Sequence, residues 1–126
     1  MTDEALYEIA CRARRRAYAP YSGVSVGAAL LTASGAIYTG VNVENASFGA
    51  TICAERCAAV CAVANGDKAF VKLAVSVSGS DRSESPCGIC RQFLSEFSED
   101  LHVVYRKNDS LVSERLSELL PSAFLL

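Results

Sequence analysis

The chain has 126 residues, a formal net charge of -2 and 51% hydrophobic content, enough for one compact domain over residues 1–126 with a core of its own. The acidic balance argues against a nucleic-acid partner, whose affinity rests on neutralising phosphates, and no run of roughly 18 apolar residues marks a membrane span. Met1-Thr2-Asp3-Glu4 is acidic and no apolar signal core follows it, so a cytoplasmic location is expected.

In chain order, residues 3–18 read as a helix. Leu6, Ile9, Ala10, Ala13 and Ala17 fall near helical spacing, Thr2 or Asp3 caps it and Pro20 stops it. The basic cluster Arg12-Ala13-Arg14-Arg15-Arg16 reads as a solvated helix face. Residues 24–33 are β-rich and apolar, Ala33-Ser34-Gly35 is a tight turn, and residues 36–43 return, so 24–43 is a hairpin. A loop over 45–51 precedes a helix over 52–65 that ends at Asn65-Gly66. Residues 71–78 alternate apolar and polar as a strand does, and 79–85 is a polar loop. Residues 87–98 read as a third helix with Cys90, Phe93, Leu94 and Phe97 inward. A strand follows over 102–106, then a short one at 111–112, and a last helical turn or two over 113–119. This order predicts an α/β fold: a three-layer α/β/α sandwich around a mixed, about five-stranded sheet.

Six cysteines without a secretory signal point to reduced thiols or metal rather than disulfides. Cys53, Cys57 and Cys61 share one helix face, yet they rise by roughly 6 Å per step. Cys53 and Cys61 are then about 12 Å apart, too far for one ion whose bonds to sulfur are about 2.3 Å. Cys57, Cys61 and Cys11 therefore read as small apolar core residues. Cys87 and Cys90 have two residues between them and sit at a helix start supported by Pro86. Cys53 also falls at a helix start, and both N-termini turn positive dipole ends toward the thiolates.

Three thiolates from Cys53, Cys87 and Cys90 can hold one Zn²⁺ and leave its fourth position to water, as in a catalytic rather than a structural site. Glu55, two residues after Cys53, is the carboxylate free to move protons. Three thiolates weaken zinc as a Lewis acid, so Arg56 reads as a hydrogen-bonding partner of the sulfurs, the alternative being an exposed helix residue. Other readings remain. Cys87-Gly88-Ile89-Cys90 after a strand also fits a thioredoxin-like redox site, which leaves Cys53-Ala54-Glu55 unexplained. A structural zinc module would need a fourth protein ligand, and the single His, His102, reads as a surface or interface residue.

The layout Cys53-Ala54-Glu55…Pro86-Cys87-Gly88-Ile89-Cys90 is that of zinc-dependent nucleobase and nucleoside deaminases. With Tyr18-Ala19-Pro20-Tyr21-Ser22, Val26-Gly27-Ala28-Ala29, the stretch Gly40 to Ser47, Ser85 to Gln92 and Leu119-Leu120-Pro121-Ser122-Ala123-Phe124, the chain resembles the small homotetrameric cytidine deaminases from about residue 15 onward. The resemblance implies hydrolysis of cytidine and 2′-deoxycytidine to the uridine products and ammonia, in pyrimidine salvage. It makes Zn²⁺ the cofactor and Glu55 the proton carrier. Asn42 and Glu44 would bind the ribose, although the same residues equally suit a turn cap at a strand end. Backbone near Ala54 would hold the pyrimidine edge, Phe124 would form an aromatic wall in a neighbouring subunit's site, and Ala46 and Phe48 would cross that interface. Val24 stands where the family usually has Phe, which implies a looser base pocket. Phe48 stands where Tyr is common, which removes a hydroxyl. A blasticidin-type deaminase shares the zinc motif, and the Asn42-Val43-Glu44-Asn45 segment favours a nucleoside over it.

Overall fold

The computed structural model describes residues 1–79, 83–98 and 100–126. Helix α1 spans Asp3–Ala13 and starts where the Thr2 hydroxyl accepts a hydrogen bond from the Ala5 N–H at 3.1 Å. It stops earlier than the periodicity predicts. Arg14–Arg16 tighten into a 3₁₀ turn, well before Pro20, as the Arg14 guanidinium reaches over to donate to Ser76 Oγ and the Val77 carbonyl. Strands β1 (Val26–Thr32) and β2 (Ile37–Val41) form the expected antiparallel hairpin. Its turn is closed by Gly35 at φ +86, a left-handed conformation that glycine adopts without strain. Asp67 ties the turn down, accepting from Thr32 Oγ1 and Ser34 Oγ at 2.7 Å each and from Tyr38 OH at 3.2 Å.

After a 3₁₀ turn at Phe48–Ala50 comes helix α2 (Ala54–Ala64), then β3 (Phe70–Val77), α3 (Gly88–Ser95), β4 (His102–Lys107), β5 (Ser110–Arg115) and the short α4 (Leu116–Leu119). One reading from sequence needs correction here. The short strand at 111–112 is a full six-residue partner of β4, so residues 113–115 are strand and only 116–119 are helical. Strand β3 is covered on both faces, residues 73–76 all being buried. Of the polar loop predicted over 79–85, residues 80–82 lie outside the described residues.

The sheet order is β2-β1-β3-β4-β5, antiparallel except for the β3/β4 pair. That one parallel pair requires a crossover, and α3 supplies it. Period-two geometry sorts the core. Ala28, Leu30, Leu73, Val75, Val103 and Tyr105 face α2 and α3, whereas Ala29, Ala74 and Val104 meet Leu6, Tyr7 and Ala10 of α1. Helices therefore cover both faces of a mixed five-stranded sheet, as predicted. Leu6, Leu30, Leu73 and Leu94 are fully buried, each adding about 1.5–3 kcal/mol of apolar transfer.

Two glycines set how closely the helices sit. A Cβ on Gly27 would fall 2.1 Å from the Ala10 carbonyl oxygen of α1. A Cβ on Gly40 would fall 2.3 Å from the Ala54 carbonyl oxygen and 2.4 Å from the Ala58 nitrogen of α2. No other residue fits such backbone contacts. Among the described residues, no helix is long and apolar enough to cross a membrane.

Candidate metal centre and active site

Two helix N-termini meet beside the end of β3. Cys53 is the N-cap of α2 and Cys87 the N-cap of α3, both with extended backbone, and Cys90 sits in the first turn of α3. The three sulfurs lie within 4.8 Å of one another, with Cys53 and Cys87 Sγ atoms 4.0 Å apart. Tetrahedral zinc with bonds of about 2.3 Å to sulfur separates its sulfurs by roughly 3.8 Å, so the donor set has the span that such an ion needs. Cys90 is buried, Cys53 half-buried and Cys87 exposed.

Electrostatics support the same fit. A hydrogen bond from the Cys90 thiol, then the Arg56 guanidinium, pulls the Cys53 thiol down to about 5. Cys90 moves the other way, its proton held by the hydrogen bond to Cys53 and by burial. One thiol is thus readily ionised while its neighbour resists, which is how clustered thiols behave until a cation neutralises them. Arg56 Nη2 donates to Cys53 Sγ at 3.5 Å, and its Nε is buried with no hydrogen-bond partner among the described residues.

Glu55 is 4% exposed. Burial raises its carboxyl to about 7, with the nearby Cys53 adding to the rise. It shares a cleft of about 210 Å³ with Cys53, Cys87, Ala54, Asn42, Val26, Val75 and Glu84.

The substrate-contact candidates are more dispersed. Asn42 lines this cleft, while its amide also braces β1: Oδ1 accepts from the Val26 N–H and Nδ2 donates to the Val24 carbonyl, both at 2.8 Å. Asn42 and Glu44 lie beyond the end of β2, where Val43 makes single bridges to Tyr18 and Ile52. Glu44 opens into an adjacent depression with Tyr21, Ser22, Phe48 and Thr51. Its carboxylate accepts from the Tyr21 and Ser22 N–H groups at 2.9 and 3.0 Å and from the Ser22 hydroxyl, which holds its pKa below the usual range. Phe48 is exposed and stands edge-on to Tyr21, with ring centroids 5.7 Å apart. Val24 is half-buried and Ala46 exposed. Phe124 is 69% exposed and projects from the C-terminal tail.

The remaining cysteines divide. Cys11 is half-buried with its sulfur 3.2 Å from Ser76 Oγ, and Cys57 is half-buried. Cys61 is exposed, not the core residue expected, because α2 buries Ala54, Glu55, Ala58, Ala59 and Ala62 instead. Sequence reasoning missed Glu84, a buried carboxylate in the cleft wall. It stands in a serine-rich stretch that carries no sequence signal of burial.

Comparison with known proteins agrees with this geometry. Residues 1–106 match the family described as the cytidine and deoxycytidylate deaminase zinc-binding region. A cytidine deaminase from Sporosarcina psychrophila is 44% identical over 115 residues, covering 90% of this chain and 84% of the relative. Blasticidin-S deaminase from Bacillus cereus is 37% identical over 103 residues, covering 76% and 74%. The crystal structure of cytidine deaminase from Burkholderia pseudomallei superposes with a TM-score of 0.92 at 43% identity, covering 98% of this chain and 100% of that one. The family match spans most of the chain, the sequence relatives and the superposed structure agree with it, and the protein belongs to the cytidine and deoxycytidylate deaminase zinc-binding family.

Proposed function

We propose that this chain hydrolyses cytidine, and 2′-deoxycytidine with it, to uridine or 2′-deoxyuridine and ammonia. The observation that carries the reading is the convergence of Cys53, Cys87 and Cys90 on one point, with buried Glu55 in the same cleft. Zinc held by these three thiolates supplies Lewis acidity that makes water nucleophilic near neutral pH.

The chain's own residues do the rest. Glu55 accepts a proton from the attacking water and delivers it to pyrimidine N3, which makes C4 electrophilic. The oxygen bonds to C4 as a hydroxyl, Glu55 moves that hydroxyl's proton to the amino group, and the C4–N bond breaks as C4=O forms, releasing ammonia. Burial of Glu55 suits it to hold a proton and give it up within one turnover. Arg56 offsets the negative charge of the thiolates through Cys53. Asn42 and Glu44 bind the ribose, the backbone at Ala54 meets the pyrimidine edge, and Val24 leaves the base side of the pocket roomy.

We further read residues 1–126 as one catalytic domain acting in pyrimidine salvage in the cytoplasm, assembled as a homotetramer. Exposed Ala46, Phe48 and Phe124 support the assembly, each being an apolar side chain that a neighbouring copy would cover.

The test is direct. Cytidine, 2′-deoxycytidine and blasticidin S are offered separately, and the ultraviolet absorbance change on loss of the amino group is followed with and without a strong zinc chelator. Turnover of the two nucleosides that the chelator abolishes is expected. Turnover of blasticidin S alone would move the protein to the other branch. Thiol–disulfide exchange without deamination would restore the redox reading.

A further inference from the structure

Glu84 is 2% exposed and stands three residues before Cys87. A carboxylate is seldom buried unless its oxygens are satisfied, and here they are. Tyr7 OH of α1 donates to Oε1 at 3.0 Å and to Oε2 at 3.3 Å, and the Val77 N–H at the end of β3 donates to Oε2. The backbone N–H of Glu84 donates to the Arg106 carbonyl of β4 at 3.0 Å. The Arg106 guanidinium lies 5.5 Å from the centre of the Tyr7 ring, closing the group. One residue thus joins a helix and two strands.

The next two residues are fixed from the other side. Arg91 Nη2 donates to Ser85 Oγ at 3.0 Å and Nε to the Pro86 carbonyl at 2.7 Å. The chain then delivers Cys87, whose own side chain makes no capping bond to α3. Cys87 is the exposed member of the thiol group, so packing restrains it least. Its place opposite Cys53 depends on the backbone that leads into it.

We propose that Glu84 is a positioning residue, anchored through Tyr7 and the Val77 N–H, that holds Cys87 at zinc-binding distance from Cys53. The inference rests on the zinc reading above. A carboxylate that only stabilised the fold would lower the melting temperature of its variants without changing how tightly the thiols grip metal.

The experiment measures zinc release from the loaded protein into excess chromophoric chelator, with the melting temperature taken on the same samples. Glu84→Ala is expected to release zinc at least about tenfold faster, the lower end of what residues supporting a metal ligand contribute. Tyr7→Phe should shift release in the same direction. Glu84→Gln should release close to the parent rate, since its amide oxygen accepts from the Val77 N–H and its NH₂ donates to the Tyr7 oxygen. Asp67→Ala breaks the β1–β2 turn clamp, outside the cleft, and should lower the melting temperature while leaving release unchanged. If Glu84→Ala does not fold, Tyr7→Phe carries the comparison. Parent-like release from Glu84→Ala or, in its place, from Tyr7→Phe overturns the proposal, as does equally fast release from Glu84→Gln and Glu84→Ala. Parent protein that takes up no zinc overturns the zinc reading itself, and the positioning role with it.

Discussion

The side-chain amide of Gln92 makes two hydrogen bonds to the backbone of Phe124. Its Nε2 donates to the Phe124 carbonyl at 3.0 Å and its Oε1 accepts from the Phe124 N–H at 2.9 Å. Arg91, one residue earlier in α3, donates to the Leu119 carbonyl at 2.7 Å. The tail is thus fastened to the helix that carries Cys90, while the Phe124 ring stays out in solvent.

In a shared-site tetramer this fastening aims the ring at a neighbouring site. Gln92→Ala, or removal of residues 123–126, is expected to raise KM for cytidine several-fold while zinc stays bound. Mixing tail-deleted chains with Glu55→Gln chains should restore part of the activity, because tail and catalytic centre then come from different subunits. Sedimentation that finds a fully active monomer at assay concentration rules the arrangement out.

Ligand identity is separable from cysteine content. Cys53→Ala, Cys87→Ala and Cys90→Ala should each abolish stoichiometric zinc and turnover, whereas Cys11→Ala, Cys57→Ala and Cys61→Ala should retain one zinc per chain. Elemental analysis decides it, and loss of zinc from Cys57→Ala would place the ion elsewhere.

Glu55→Gln keeps the shape of the side chain and removes its proton-carrying capacity. General acid–base groups contribute about 10²–10⁴-fold, and in the proposed reaction Glu55 serves more than one transfer, so kcat should fall by at least about 10²-fold with zinc content unchanged. Turnover within a few-fold of the parent would remove Glu55 from the chemistry.

Arg56→Ala leaves the thiolate charge without its guanidinium. We expect kcat to fall more than KM rises, with a shifted pH–rate profile. A variant with the parent's profile and metal retention would show that the charge needs no such offset.

Asp67 gives the fold a pH signature away from the site. Hydrogen bonds from Ser34, Thr32 and Tyr38 hold its pKa below the usual aspartate value. A depressed folded-state pKa stabilises the fold above the unfolded value of about 3.9, and that contribution disappears as pH falls through the folded value. Asp67→Ala should therefore lower the melting temperature by a constant amount above about pH 5, with the gap narrowing below about pH 4. A gap that stays constant down to about pH 2 would mean the carboxylate's charge plays no part in the clamp.

Legibility in the sequence followed how local each cause is. The thiol triad was readable because Pro86, the C-x-x-C spacing and the run after Cys53 each mark a helix start on their own. Strand β3 was readable as a strand and the sheet as covered on both faces from the order of elements, while the partners on the far face, Leu6, Tyr7 and Ala10 of α1, emerge only from the packing. Ser113, Glu114 and Arg115 read as part of a last helical turn, yet they pair with β4 at the sheet edge, where Ser113 and Arg115 are exposed and Glu114 accepts a hydrogen bond from Tyr105 OH. Glu84 was invisible because its burial depends on Tyr7, 77 positions away in the chain. Cys61 was misplaced because helical spacing identifies a shared face without saying what lies opposite it.

The hydrogen at Gly40 has a consequence for how this scaffold can change. Strand β2 touches α2 at the Ala54 carbonyl and the Ala58 nitrogen, immediately beside Cys53 and Glu55. The start of α2, where Cys53 and Glu55 sit, therefore takes its alignment from a neighbouring strand. A growth selection on a saturated codon library should return glycine alone at position 40, while positions 24, 46 and 48 drift. New amino-bearing rings would then be accommodated by remodelling the rim, with the helix seat left as it is.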